Sequence, residues 1–290
     1  MLIKSFRYLL CLATLVGAAA LSTPSARAAD IAIAEPETVV APVGPAFLDV
    51  AFGVAGVTDY RFRGVSNSRK DPAVQGYVEL QAFEWVYVGV WASSVKYPAP
   101  WERSGAAAEV DLYGGLRHAW GALSVDVGGL YYSYPGKDTL VPAPSRRDID
   151  YWEIYAKPTV SIGDAATVGG NLFWTSDFMN LGSDALYLSV IPKLNLPITS
   201  FPNLGFYVSG EFGKQWFGKT TKFAVKYNWN DYVTWNAGGG VAYKAMTLDL
   251  RYSDTDLSKR ECAFNYNVKG LCGPAFVAKL SFDTTLSSLK

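Results

Sequence analysis

The chain runs to 290 residues yet holds one histidine and three cysteines, and its 26 basic residues are offset by 26 acidic ones. Each scarcity excludes something. With His118 as the lone histidine and no Cys, Asp or Glu cluster at ligand spacing, no metal centre is expected. Balanced charge offers no global attraction to nucleic acid, so none is expected as a partner. No glycine-rich phosphate loop follows a strand and opens a helix, and no cofactor is implied. Beyond residue 28 no run of roughly eighteen apolar residues occurs, so no membrane-spanning helix is predicted there.

The N-terminus is different in kind. Lys4 and Arg7 precede an apolar stretch from Tyr8 to Leu21, and Ala26-Arg27-Ala28 closes it. A basic start, a short apolar core and a small-residue end predict a secretory signal peptide over 1–28, too short in its apolar part to anchor the chain comfortably. Its removal takes three basic residues, leaving the mature chain about three charges negative. The Pro- and Ala-rich stretch 29–46 reads as a periplasmic leader, and 47–290 as the folded unit.

From Phe47 onward the residues alternate. Leu48, Val50, Phe52 and Val54 oppose Asp49, Ala51, Gly53 and Ala55, and the first strand is read as running on through Tyr60. Strand side chains point alternately to the two faces, so this spacing predicts a strand with one apolar side. The pattern recurs to give about twelve strands, most near ten residues. Soluble strands average about half that, whereas a tilted strand crossing a bilayer needs roughly nine to eleven residues. Breaks alternate as well: tight at Glu84-Trp85, Trp120-Gly121, Gly163-Asp164 and Lys244-Ala245, mostly long and polar at 65–73, 96–106, 135–148, 219–231 and 255–273. Short turns at one end, long loops at the other and an even strand count predict an all-β fold, a transmembrane antiparallel up-and-down barrel of the bacterial outer membrane, with lipid as its partner. Tyr60, Phe62, Trp152, Trp174, Trp216, Trp235 and Tyr252 share the apolar parity near the loop ends and are expected in an outer aromatic girdle.

The opposite parity is then the interior. It carries Asp49, Asp59, Glu79, Glu109, Asp111, Asp126, Glu153, Glu211, Asp249 and Asp283 against Arg61, Arg63, Arg117, Lys157, Lys193, Arg251 and Lys279. These are the candidate pore-lining residues. Their slight acidic excess predicts easier passage for cations. Twelve strands lie between barrels filled by their own side chains and open porins, so a pore passing small polar solutes or ions by passive diffusion is expected, with a non-conducting barrel acting through its loops as the alternative. Cys262 and Cys272, in the last long loop, read as a disulfide closing a short loop in an oxidising compartment, with two free thiols as the alternative. His118 lies on the apolar face without a serine close downstream, so no catalytic pair is expected.

One segment carries a motif. Asp59-Tyr60, Phe62-Arg63-Gly64, Ser66, Pro72-Ala73, Gln75-Gly76, Gly89 and Trp91-Ala92-Ser93 resemble the N-terminal signature of the TorF family of proteobacterial outer-membrane porins. The resemblance covers about the first three strands. It implies an outer-membrane barrel and a pore. On the strand reading, Asp59, Arg61 and Arg63 sit on the barrel wall near the external mouth, with Arg63 facing acids of neighbouring strands.

Overall fold

The computed structural model describes residues 47–97, 106–135, 149–222 and 228–289; the signal peptide and leader read from the sequence lie outside these. The chain forms β1 (Leu48–Val57), two short strands β2 (Arg61–Phe62) and β3 (Val65–Ser66), then β4 (Ala73–Ala82), β5 (Val86–Tyr97), β6 (Ala106–Trp120), β7 (Leu123–Ser133), β8 (Tyr151–Ile162), β9 (Ala166–Thr175), β10 (Ala185–Leu196), β11 (Gly205–Phe217), β12 (Tyr232–Tyr243), β13 (Met246–Thr255), helix α1 (Lys259–Tyr266) and β14 (Ala275–Thr285).

All but β2 and β3 make one closed antiparallel barrel of twelve strands, each beside its chain neighbour. The seam is β1 against β14, from Ala51 opposite Thr285 to Val57 opposite Lys279. Closure pairs every edge, which matters because unpaired backbone groups in hydrocarbon cost several kcal/mol each. A tight turn such as Lys244-Ala245 places Lys244 at φ 54°, the left-handed conformation that two-residue hairpins use.

The alternation read from the sequence sorts the side chains. On β1, Asp49, Ala51, Ala55 and Val57 are buried while Leu48 and Val54 are about half exposed. Across the barrel Val78, Val88, Leu112, Ile154, Leu188, Phe212, Leu250 and Phe276 stand outward and exposed. A continuous apolar belt on a closed barrel is stable only against lipid, and the protein is an integral outer-membrane barrel. Trp152 and Trp174 stack edge to face on the outer surface, 5.7 Å between centroids. At the turn end His118 packs between Trp85 and Trp120, at 4.2 and 4.6 Å.

One stretch departs from the expected pattern. The first strand ends at Val57 rather than running on through Tyr60, and residues 59–68 fold back inside the barrel. Tyr60 is 1% exposed and its ring lies 5.6 Å from that of Trp91; Phe62 stacks edge to face on Tyr132 at 5.8 Å. Neither belongs to an outer girdle. The stretch 65–73, expected as an external loop, has Val65, Ser66, Asn67 and Ser68 buried. The physical reason is that the interior of this barrel also offers apolar contact, so period-two alternation continues smoothly from the wall into the inward segment.

Candidate functional site: the lumen and its plug

The inward segment is pinned by charge. Arg63 crosses the barrel to Glu153 on β8, with Nη1 to Oε1 at 3.0 Å and Nη2 to Oε2 at 2.6 Å, and Nη1 also reaches Gln215 Oε1 on β11 at 2.9 Å. Its guanidinium lies over the rings of Phe62, Phe173 and Tyr187. Two parallel N–H···O bonds are the geometry arginine is suited to, and the aromatic faces add cation–π attraction. Arg61, fully buried, pairs with Asp59 at 3.1 Å and donates to the carbonyls of Gly64 at 2.5 Å and Gly273 at 2.7 Å. Asp59 accepts from Ser66 at 2.5 Å and Ser68 at 3.2 Å, which closes the turn of β2 and β3. Tyr60 donates to Glu109 on β6 at 2.6 Å. The hairpin turns at Arg63 and Gly64, both with positive φ; a Cβ at Gly64 would collide with Thr234 of β12.

Two further features cover this hairpin. Cys262 and Cys272 are joined by a disulfide, Cα atoms 5.9 Å apart, which ties α1 to the approach to β14. Ser66 donates its backbone N–H to the Leu271 carbonyl, and Thr255 donates to the Cys272 carbonyl, so the cystine loop lies on the hairpin and the wall. Beside it, Phe178, Phe217, Trp229 and Tyr266 pack ring against ring at 5.1 to 5.8 Å. Among the described residues, the hairpin, the cystine loop and these rings lie together at the loop end of the lumen.

The turn-end half is built otherwise. Inward tyrosines lie flat on the wall over glycines of the adjacent strand: Tyr113 over Gly89, Tyr155 over Gly128 and Tyr207 over Gly240, with Tyr187 over Gly213 nearer the loop end, each ring occupying the place a Cβ would take. Their hydroxyls reach acids. Tyr187 donates to Glu211 at 2.7 Å and Tyr207 to Asp249 at 2.7 Å, while Tyr87 bonds both Asp126 and Tyr155. Arg117 pairs with Glu79 at 3.1 Å and Asp126 at 3.6 Å, and Arg251 binds Asp249 through Nε at 2.7 Å and Nη2 at 2.8 Å. Asp49 accepts from Ser287, beyond the last strand. Lys157, Lys193, Glu211, Lys279 and Asp283 are partly exposed, unlike Glu109 and Glu153 near the loop end.

All seventeen candidate lumen residues therefore lie on the inner side, but Asp59, Arg61 and Arg63 belong to the inward hairpin and not to the wall. Sequence reasoning did not single out the tyrosines. Tyr87, Tyr113, Tyr155, Tyr187 and Tyr207 share the polar parity, and that parity alone would have found them.

A family model described as "Bacterial protein of unknown function (Gcw_chp)" matches residues 42–282. No curated protein matches the chain in sequence. Among solved structures, the chain is similar to the COG4313 outer membrane channel from Pseudomonas putida F1, with 10% identity, TM-score 0.48, and 87% of this chain and 100% of that one covered. It is also similar to the KdgM porin in complex with disordered oligogalacturonate (6%, TM-score 0.46, 81% and 98% covered) and to LpxR from Salmonella typhimurium (11%, 0.41, 80% and 99%).

Proposed function

The chain belongs to the Gcw_chp family of bacterial proteins of unknown function, and from that premise we propose that it is an outer-membrane channel for passive diffusion of small polar solutes or ions, held shut or nearly shut at its outer end by residues 59–68. The observation that carries this is the contrast between the two halves of the lumen. Beneath the packed hairpin the wall carries charged and hydroxyl groups that water reaches, and β2 and β3 pair only with each other, not with any wall strand. A barrel needed only as a scaffold gains nothing from a wettable half; a channel does. The likeness of Asp59 to Ser93 to the TorF porins points the same way. In this reading the short turns and both chain ends face the periplasm.

A second reading, a non-conducting barrel acting through its external loops, is favoured by one observation. The Arg63–Glu153 pair is almost wholly buried, as in a permanently packed interior. Planar-bilayer recording separates the two. Wild-type protein is expected to give small or rare conductance steps. A variant with residues 58–72 replaced by a short Gly-Ser link is expected to give larger, steady ones. Silence from both, with each shown folded by heat-modifiable migration in SDS gels, would leave the non-conducting reading standing.

A further inference from the structure

We infer that the inner face of β8, β9 and β10, in the turn-end half of the lumen, is a binding strip for small oxyanions, carboxylates or phosphates. The count of inward side chains favours cations; their placement does not. In this half the inner faces of β8, β9 and β10 hold Lys157, Asn171, Ser189 and Lys193 with threonines and glycines, and no acid. Lys157 stands directly opposite Asp126 across the strands, yet its ammonium lies over the rings of Tyr155 at 4.6 Å and Phe173 at 5.0 Å. Among the described residues it has no carboxylate at ion-pair distance. Lys193 lies over Tyr207 at 4.8 Å.

Between the two lysines is a second, independent sign. Ser189 is 7% exposed, and its hydroxyl has no hydrogen-bond partner. It pairs across to Asn171 on one side and to Gly213 on the other. Buried hydroxyls are rarely left without a partner, so this one marks a place where something else supplies the acceptor. The flanking acids differ. Asp126 is held by Tyr87 and Arg117, and Glu211 by Tyr187 and Asn236. An entering cation meets carboxylates already engaged by protein donors, whereas an entering anion meets the Lys157 ammonium and the Ser189 hydroxyl on one wall.

Binding does not require conduction, so the inference and the channel reading can fail separately. The probe is inorganic phosphate, followed by broadening of its phosphorus-31 resonance on titration with the purified barrel in neutral detergent. Broadening is expected with wild type, about tenfold weaker binding with Lys157→Met, recovery with Lys157→Arg, and no change with Lys269→Met in the exposed cystine loop. Reversal potentials in a potassium chloride gradient are the second readout. Anion preference that falls in Lys157→Met supports the strip. Phosphate binding without any conductance would sink the channel and keep the strip. No broadening with wild type, or broadening that Lys157→Met leaves unchanged in a barrel shown folded, overturns it, as does cation-selective conductance unaffected by Lys157→Met.

Discussion

Arg63 carries the hairpin's attachment, because it reaches across the lumen to two wall strands, β8 and β11, at once. Removing it leaves Glu153, which is 1% exposed, with the Tyr132 hydroxyl but no cation, and takes a donor from Gln215. Truncating one partner of a buried pair generally costs about 3–5 kcal/mol. Arg63→Ala is therefore expected to lower the temperature at which the folded, fast-migrating form is lost in SDS gels, and to raise conductance. Arg63→Lys should recover little of either, since an ammonium cannot make the two parallel bonds. Unchanged unfolding and unchanged conductance in Arg63→Ala would remove its role. This pairing was partly legible in the sequence. The parity of Arg63 set it facing acids, but its true partner is reached across the lumen rather than on a neighbouring strand. Alternation reports which face a side chain takes, not whether the backbone has left the wall. The signals that could have marked the departure are Gly64 and the Ser66-Asn67-Ser68 cluster, turn-forming residues placed inside what reads as a strand end.

At the scale of elements, the cystine loop is the cover. Its helix begins with a capping box: Ser258 accepts from the Glu261 N–H at 3.2 Å, and Glu261 Oε2 accepts from the Ser258 N–H at 2.9 Å. The Ser258 hydroxyl and backbone N–H hold the Glu261 carboxyl below its ordinary value. A lowered folded value means the cap's contribution is complete above the unfolded value and is lost as pH falls through the folded one. Hydrogen exchange of the α1 amides is thus expected to quicken on acidification through the carboxylate range, and Glu261→Gln should flatten that dependence. Replacing both Cys262 and Cys272 by serine frees the loop from its tether. Proteolytic cutting within 256–274 should increase while the barrel's heat stability changes little, and open-channel events should become more frequent. The disulfide was legible in the sequence from an even cysteine pair in an oxidising compartment, and the fold brings the two Cα atoms to 5.9 Å.

The whole molecule is a barrel whose outer surface and inner surface obey different rules. Outward positions answer only to lipid. Leu250→Arg or Leu172→Arg, both on the belt, is expected to cost about 2–4 kcal/mol if near the bilayer midplane. That would be read as a lower yield of folded barrel in vesicles, whereas an arginine at the exposed tip Gly163 should be tolerated better. This is also why the architecture was so readable: lipid imposes an uninterrupted alternation over ten or more residues, and tight turns interrupt it at one end only. The lumen imposes no comparable rule. A tyrosine, a lysine and a glycine are all acceptable facing inward, so the filling had to come from packing.

The tyrosines laid on glycines have a consequence for size. Each ring is flat because the strand beside it offers no side chain, so the clearance of the lumen depends on residues that contribute no side-chain bulk of their own. An alanine at Gly240 would lift the Tyr207 ring off the wall and turn it toward the axis, shrinking the passage by part of a ring's breadth without adding or removing a charge. The bore of this barrel is thereby adjustable without altering what lines it. Two relatives could share all their inward polar residues and still admit solutes of different girth.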